Sequence, residues 1–388
     1  MKNNKDSISN IIKPFLDLNL LIIVATIILF GFLVLTSASI ELSAQKYSYP
    51  FYYINKQIVH FLFSILVGSF FIFYISTEDL KKYYKFFFYI SFLLLIIVYF
   101  FGETRGGSTR WLSYNQFNIQ PSEIFKLFYI VWLCAYLDYN KNNIKLISFF
   151  LKPILFFLLA GYFLYSQPDL GSIIVIFLIT IIMLFIGNAR KDYILSLFVL
   201  GFFLLSLLIY LKPYMLSRFY ILEPCKRYFD IGYQSGYHLC HSLMAIGSGG
   251  IFGKGIGLST SKLFYLPAAH TDFIFAVLAE ELGIFGIIFL VILFYLFIMK
   301  CFSIAEKALR VDLVFQAYLA YAIGIFITLQ SFFNIAVNLG LAPTKGLPLP
   351  LFSYGGSNYL VSILSILIIF RIYRDVYKKT LNTSKRYY

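Results

Sequence analysis

The chain has 388 residues, of which 60% are hydrophobic and 13% are charged, and its mean hydropathy is +0.81. This composition excludes an ordinary water-soluble domain and is typical of a polytopic membrane protein. The formal net charge of +14 does not indicate a nucleic-acid partner, because the basic residues cluster in tails and short loops between apolar segments.

Ten segments are long and apolar enough to cross a bilayer, which takes about 20 residues per helix. We therefore predict an all-α, polytopic membrane protein with ten transmembrane helices, forming a single domain over residues 1–388. The predicted spans are residues 18–38, 57–75, 84–101, 121–139, 147–166, 170–187, 193–211, 271–299, 314–339 and 351–372.

The basic residues predict the orientation of these spans. With a cytoplasmic amino terminus, the tails and inner loops hold 19 of the 32 Lys and Arg residues, and the short outer loops hold five. This positive-inside pattern places both tails, residues 1–17 and 373–388, in the cytoplasm. Residues 212–270 then form a large outer loop between helices 7 and 8. Two of the four cysteines, Cys225 and Cys240, lie in this loop, where a disulfide is conceivable.

Most polar motifs fall on the predicted outer side, which indicates an outward-facing functional site. Lys345 lies in a proline-bounded turn shortly before SYGGS (353–357). A cation beside exposed backbone N–H groups suits a phosphate, although a solvated lysine would explain it equally simply. His238 and His241 have helical spacing but lack a suitable third ligand nearby, so we predict no metal site.

Several charged and polar residues occur inside or beside the predicted spans. Glu123 and Lys126 share one helix face, as a structural ion pair or a substrate site, with Lys126 expected to extend outward. Asp169 precedes a span, where it could cap the helix or bind substrate. A polar stripe in the ninth span favours interhelical hydrogen bonds, and two adjacent acids in the eighth span are expected to support the site from below. These residues are Gln330, Asn334 and Asn338 in the stripe, and Glu280 and Glu281 as the acids.

Seven motifs in order resemble the SEDS family (shape, elongation, division and sporulation), and the resemblance extends from about residue 20 to residue 372. Any one motif is weak, but the ordered set is specific, and two of the strings look closer to the cell-division branch than to the elongation branch. The motifs are VLTSAS (34–39), RWL (110–112), QPSEIFKL (120–127), QPDLG (167–171), SLMAIGSGGIFGKGIG (242–257), HTDFIFAVLAEELG (270–283) and PTKGLPLPLFSYGGS (343–357).

The resemblance implies a peptidoglycan glycosyltransferase that polymerises lipid II at the outer face of the cytoplasmic (inner) membrane, at the division septum. It also implies a class B penicillin-binding protein transpeptidase and other division proteins as partners. No cofactor is required by the sequence, and a divalent cation is possible. The alternatives are a lipid II flippase, a non-catalytic division scaffold, or the elongation paralogue.

The resemblance further implies a catalytic aspartate in the large outer loop. Arg227 occupies the expected position when the loop is aligned on GYQ (232–234), and Ala268 replaces a glutamate that the family usually has. Asp230 is the only aspartate between Asp192 and Asp272, so it is the candidate base, with Glu223 as the alternative. The candidate substrate-binding residues are Arg110, Glu123, Lys126, Asp169, Arg218, His270, Asp272, Lys345 and Ser353.

Overall fold

The computed structural model describes residues 17–105, 108–114, 117–211, 225, 234–263, 266–342 and 346–384. This part of the chain is mostly helical. Its helices are α1 (Leu18–Tyr47), α2 (Tyr52–Tyr74), α3 (Thr77–Lys82), α4 (Tyr84–Phe101), α5 (Pro121–Tyr139), α6 (Ile147–Ser166), α7 (Leu170–Ile186), α8 (Lys191–Leu211), α9 (Gln234–Gly249), α10 (Ile274–Arg310), α11 (Val314–Asn338) and α12 (Gly356–Ser384).

Each of the ten predicted spans overlaps one of these helices. Among the described residues, six helices are long and apolar enough to cross a membrane: α1, α2, α4, α6, α10 and α11. The helix α7 is apolar but shorter, at 17 residues. A protein with six such helices is a multi-pass membrane protein, and the count of ten spans remains a prediction.

Three short strands, which the sequence analysis did not predict, connect α4 to α5. They are β1 (Glu103–Arg105), β2 (Ser108–Tyr114) and β3 (Phe117–Ile119), and they pair antiparallel in the order β1-β2-β3. The described structure is therefore mostly helical, with one small sheet in this connection. The sequence pattern did not reveal the strands, because β1 and β3 have only three residues each and the seven residues of β2 do not alternate between polar and apolar.

The interior of the bundle is built around α5 and α11. Most side chains of both helices are buried, and α11 packs against α5, α7, α10 and α12. In contrast, α2, α4 and α6 expose many large apolar side chains, as expected for helices that face lipid. The central helices therefore carry the buried polar groups, while the outer helices shield them.

One helix contains a break that shapes the structure around it. Gly283 in α10 has φ 63° and ψ −157°, a conformation that glycine adopts readily and other residues do not. Residues 250–255 pack against this break through main-chain hydrogen bonds. Because the backbone groups are satisfied there, the interruption is tolerated within an apolar helix.

Candidate functional site

The first turn of α5 places a charged pair inside the bundle. Pro121 starts the helix, where its missing N–H costs nothing, and Glu123 and Lys126 follow on one face. The Nζ of Lys126 donates to Oε1 of Glu123 at 2.8 Å and to Oε1 of Gln330 at 3.2 Å. Asn358 donates to the other carboxylate oxygen of Glu123 at 3.2 Å. Both charges are therefore paired and hydrogen-bonded, as buried charges must be.

The prediction that Lys126 extends outward is wrong. Its side chain is fully buried and turns toward α11. The amide of Gln330 supplies a second partner that the sequence spacing could not reveal. Lys126 is therefore a fixed internal cation.

Arg110 on β2 reaches across to the start of α7. Its Nε donates to the main-chain oxygen of Gln167 at 3.2 Å, and its Nη2 donates to the main-chain oxygen of Pro168. Its Nη1 lies 3.8 Å from Oδ1 of Asp169. The guanidinium is thus held in one orientation by two carbonyl groups and directed at a carboxylate.

Asp169 caps α7, as one of the two sequence interpretations predicted. Its Oδ1 accepts from the N–H of Ser172 at 3.4 Å and its Oδ2 from the Ser172 hydroxyl at 2.8 Å. Burial favours a higher pKa for Asp169, but the charges of Arg110 and Lys126 bring it below its usual value. Asp169 is therefore a buried, ionised group at neutral pH.

Asp272 lies between the polar stripe of α11 and the segment before α12. The side-chain amides of Asn334 and Asn338 donate to its main-chain oxygen at 2.9 Å and 3.1 Å. Its carboxylate contacts Gly346, where an added Cβ would lie only 2.5 Å from Oδ2. Burial raises the pKa of Asp272 to about 6, and the charge of Arg110 opposes this rise. The interhelical hydrogen bonds predicted for the stripe are confirmed for Gln330, which accepts from Lys126 of α5, and for Asn338, which accepts from Ser242 of α9. Asn334 instead donates to Asp272 and Leu347, which lie outside the helices.

His270 and Ser353 fix the turn that precedes α12. The Ser353 hydroxyl donates to the main-chain oxygen of Thr271 at 2.5 Å. The N–H of Tyr354 donates to the main-chain oxygen of His270 at 2.9 Å. The His270 ring lies 4.7 Å from the ring of Tyr53 and 5.9 Å from that of Tyr354. Burial lowers the pKa of His270 to about 4, aided by the charge of Lys46. His270 is therefore neutral at pH 7.

Two groups of predicted site residues are thus brought together at one end of the bundle. Arg110, Asp169, Lys126 and Glu123 form a connected polar cluster, with Asp272 close enough to Arg110 for their charges to interact. His270 and Ser353 flank it through the turn before α12. Three predicted site residues, Asp230, Arg218 and Lys345, lie outside the described residues, as do Glu223 and Arg227.

A disulfide joins Cys225 to Cys240 in α9. The sequence between these cysteines includes Asp230. The bridge therefore closes a covalent ring that contains the candidate base and ties this part of the loop to a described helix.

Glu280 in α10 is the centre of a second buried network. Its carboxylate accepts from Lys254 Nζ at 2.7 Å, from the Ser259 hydroxyl at 2.5 Å, and from the main chain and hydroxyl of Thr260 at 3.1 Å and 3.0 Å. The side chain of Glu280 is completely buried. These contacts fix the segment after α9 against the amino-terminal part of α10.

Sequence reasoning missed several residues of these networks. Asn358 was hidden inside an apolar span, and its only signal was that a buried amide needs a partner. Lys254, Lys262 and Ser37 each bond to an acid that lies 26, 19 and 244 residues away in the sequence, respectively. No spacing rule connects such positions.

The comparisons with known proteins agree over nearly the whole chain. The family described as "Cell cycle protein", covering FtsW, RodA and SpoVE, matches residues 17–378. The chain is 37% identical over 360 residues to a Tolumonas auensis protein named probable peptidoglycan glycosyltransferase FtsW, covering 92% of each. It is 38% identical over 363 residues to the Aliivibrio salmonicida protein of the same name, covering 93% of this chain and 89% of that protein.

Solved structures lead to the same assignment. A chain from a structure described as the "structural coordination of polymerization and crosslinking by a peptidoglycan synthase complex" aligns with TM-score 0.73 and 26% identity, covering 94% of this chain and 99% of that one. The rod shape determining protein RodA of Thermus thermophilus aligns with TM-score 0.69 and 25% identity, covering 93% and 97%. The resemblance found in the sequence is thereby confirmed, and the chain belongs to the FtsW, RodA and SpoVE family of cell cycle proteins.

Proposed function

We propose that this protein is a peptidoglycan glycosyltransferase that polymerises lipid II into glycan strands during cell division. The relatives that match at 37% and 38% identity over about nine tenths of the chain carry that activity in their names. The observation that carries the proposal is the buried cluster of Arg110, Asp169, Lys126 and Glu123 at one end of the bundle. A polar site that excludes water can stabilise charge far better than a solvated one.

The reaction joins two lipid-linked disaccharides. The 4-hydroxyl of an acceptor N-acetylglucosamine attacks the anomeric carbon of a donor N-acetylmuramic acid, and a new C–O bond forms with inversion. The bond from that carbon to the undecaprenyl pyrophosphate breaks, and its electron pair leaves with the pyrophosphate. The hydroxyl proton goes to a carboxylate base. The site must therefore supply a base near the hydroxyl and cations near the leaving group.

We assign the base to Asp230. It is the sole aspartate in the loop from 193 to 271, and the Cys225–Cys240 bridge links the segment that contains it covalently to α9. Arg218 and Lys345 are proposed to hold the pyrophosphate, because cationic side chains are suited to phosphate oxygens. No step is assigned to a divalent cation.

The described residues are assigned supporting roles. Arg110 is proposed to donate its remaining N–H groups to substrate, since only two of its five are held by carbonyls. Lys126 and Glu123 hold the start of α5 against α11 and α12, and the charge of Lys126 favours the ionised form of Asp169. Asp272, His270 and Ser353 shape the neighbouring wall of the site. These roles follow from preorganisation, because polar groups fixed before the reaction need no rearrangement during it.

The proposed topology has ten spans, both termini in the cytoplasm and residues 212–270 outside. The excess of Lys and Arg in the tails and predicted inner loops supports this orientation. The site then faces outward, where the chemistry of wall synthesis takes place. A class B penicillin-binding protein is the proposed partner, and the similarity to a chain of a peptidoglycan synthase complex supports an assembly of that kind.

Two assays test this function, one on the purified protein with its transpeptidase partner and one on the protein alone in liposomes. Incubation with labelled lipid II should lengthen it into glycan chains that resolve as a ladder on a gel. The flippase alternative predicts instead that the protein alone scrambles fluorescent lipid II across liposomes without any ladder. A scaffold predicts neither activity. Glycan formation by the wild type but not by Asp230→Asn, with Asp192→Asn fully active as a control, would establish the proposed reaction.

A further inference from the structure

An open cavity of about 310 Å³ lies between α1 and the segment that follows α9. Its volume falls within the range of small-molecule sites. The α1 residues that line it recur at helical spacing and form one face of that helix. The lining is Leu33, Thr36, Ser37 and Ile40 on α1, and Ile256 and Gly257 opposite. We call this space the α1 cavity.

The wall opposite α1 is held by the break in α10. The N–H groups of Lys254 and Gly255 donate to the main-chain oxygens of Glu280 and Glu281, both at 3.0 Å. At Gly253 the two segments approach so closely that an added Cβ would lie 2.2 Å from the Glu281 oxygen. The non-helical segment therefore has its backbone satisfied by a helix, which lets it lie beside membrane spans.

A buried ion pair joins all three elements around the cavity. The Nζ of Lys262 donates to Oε1 of Glu281 at 2.9 Å, to the Ser37 hydroxyl at 2.9 Å and to the Gly257 oxygen at 2.8 Å. The Ser37 hydroxyl donates to Glu281 at 2.6 Å. Ser37 and Gly257 also line the cavity. Its two walls are thus fixed to each other by charge and hydrogen bonds.

The lining offers an occupant little polar chemistry. Thr36 donates its hydroxyl to the main-chain oxygen of Phe32 at 2.7 Å, and Ser37 donates to Glu281. The remaining side chains are apolar. Because both hydroxyl hydrogens and all three Lys262 contacts are committed inside the protein, the cavity suits a hydrocarbon chain and not a headgroup.

The depth of the cavity places it below the candidate site. Its α1 residues lie 7 to 14 residues before the helix end at Tyr47, or about 10 to 20 Å at 1.5 Å per residue. That end contacts the site, because the ring of Tyr47 lies 5.8 Å from Tyr53, which lies 4.7 Å from His270. The predicted span in α1 ends at residue 38, so the cavity lies at the outer edge of the predicted hydrocarbon core. A chain descending from a headgroup at the site would therefore pass this cavity.

We propose that the α1 cavity binds the polyprenyl chain of the lipid-linked substrate. The inference rests on the proposed function, which supplies a substrate with a long apolar chain. Once the headgroup is bound at the site, the attached chain is present at a high effective concentration beside the cavity. Fixed walls favour one chain type over the many phospholipid chains nearby, because a rigid cavity cannot adapt its shape to each.

The first test is photocrosslinking in nanodiscs with a polyprenyl diphosphate that carries a diazirine on its chain. Labelling should fall on peptides containing residues 33–40 and 256–257, and excess undecaprenyl phosphate should compete while phosphatidylglycerol should not. Leu33→Trp and Ile40→Trp should each reduce labelling about tenfold. The control, Leu29→Trp, alters a lipid-exposed residue one turn away that does not line the cavity and should leave labelling unchanged. Equal competition by phosphatidylglycerol, or equal labelling of all variants, would overturn the proposal.

A second test separates this inference from the proposed function. Wild-type enzyme should show a KM at least tenfold higher for lipid II with a short prenyl chain, and Leu33→Trp should show nearly equal KM values for the two substrates. A wild-type KM that does not depend on chain length refutes the cavity while leaving the polymerase intact. If the wild type forms no glycan from either substrate, the proposed function fails, and the crosslinking pattern alone decides the cavity. Thermal unfolding of each variant shows whether it is folded.

Discussion

The Nζ of Lys126 lies 2.8 Å from Oε1 of Glu123, and both side chains are completely buried. Two charges inside a helical bundle are costly to desolvate, yet these also bond to Gln330 and Asn358 from two other helices. The pair therefore fixes α5, α11 and α12 relative to one another at the point where the candidate site begins.

Removing only one member of this pair should be more harmful than removing both. Lys126→Met leaves the Glu123 carboxylate buried without its cation, and we expect a loss of about 3–5 kcal/mol in unfolding free energy. The double variant Glu123→Gln, Lys126→Met should recover most of that loss. Thermal unfolding in detergent measures the stability of the single and the double variant. Lys307→Met, on an exposed stretch of α10, is the control. Additive losses in the double variant would show that the two residues do not act as a pair.

Replacing Arg110 should impair the reaction more than the fold. Arg110→Lys keeps the charge but cannot hold the Gln167 and Pro168 carbonyls and face Asp169 at the same time. We expect glycan synthesis to fall about 100-fold, in the range seen when one preorganised donor is lost. The exposed Arg190→Lys provides the comparison. Unchanged polymerisation rates for Arg110→Lys would remove this residue from the site.

Asp272 should make stability depend on pH in a defined direction. Its pKa in the folded protein, about 6, exceeds the ordinary value of 3.8, so the folded state retains a proton that the unfolded state releases. The stability that the protonated Asp272 carboxyl contributes is therefore fully present below about pH 4 and is lost as the pH rises to 6. Asp272→Asn does not lose stability over this pH range. The Tm of the variant minus that of the wild type should therefore increase from about pH 4 to pH 6 and stay constant above pH 6. A Tm difference that is constant from pH 4 to 7 would contradict the assignment.

The disulfide should matter for activity because it restrains the ring that contains Asp230. In a chain-entropy description, closing a loop of about 15 residues is worth roughly 3 kcal/mol. We expect Cys225→Ser with Cys240→Ser to lower glycan synthesis at least tenfold, and reductant to do the same to the wild type. Reductant should have no further effect on the double variant, since Cys134 and Cys301 are free and buried. Full activity of the double variant would show that the bridge is dispensable.

The sequence predicted the positions of the main helices well, because long apolar segments are the strongest local signal in a membrane protein. It also predicted the Glu123 and Lys126 pair and the cap at Asp169, since both depend on spacing along one helix. The three strands between α4 and α5 were missed because two of them have only three residues and the third does not alternate between polar and apolar residues. Local patterns thus predicted local structure.

Contacts between distant segments were beyond this kind of prediction. Ser37 and Glu281 are 244 residues apart, and no periodicity joins them. The break at Gly283 also left no signal, because a single glycine is tolerated inside many helices. Asp230 was inferred from the family resemblance and from its being the only aspartate in its loop, and it lies outside the described residues. Its role is therefore tested by replacing it in the polymerisation assay.

That role is tested most directly by measuring the polymerisation of labelled lipid II with Asp230, Glu223 and Arg227 exchanged one at a time. Each purified variant is assayed with the transpeptidase partner and checked for the wild-type Tm. We predict that Asp230→Asn abolishes glycan chains while Glu223→Gln and Arg227→Gln retain measurable synthesis. Wild-type synthesis by a folded Asp230→Asn variant would contradict the assignment of the base.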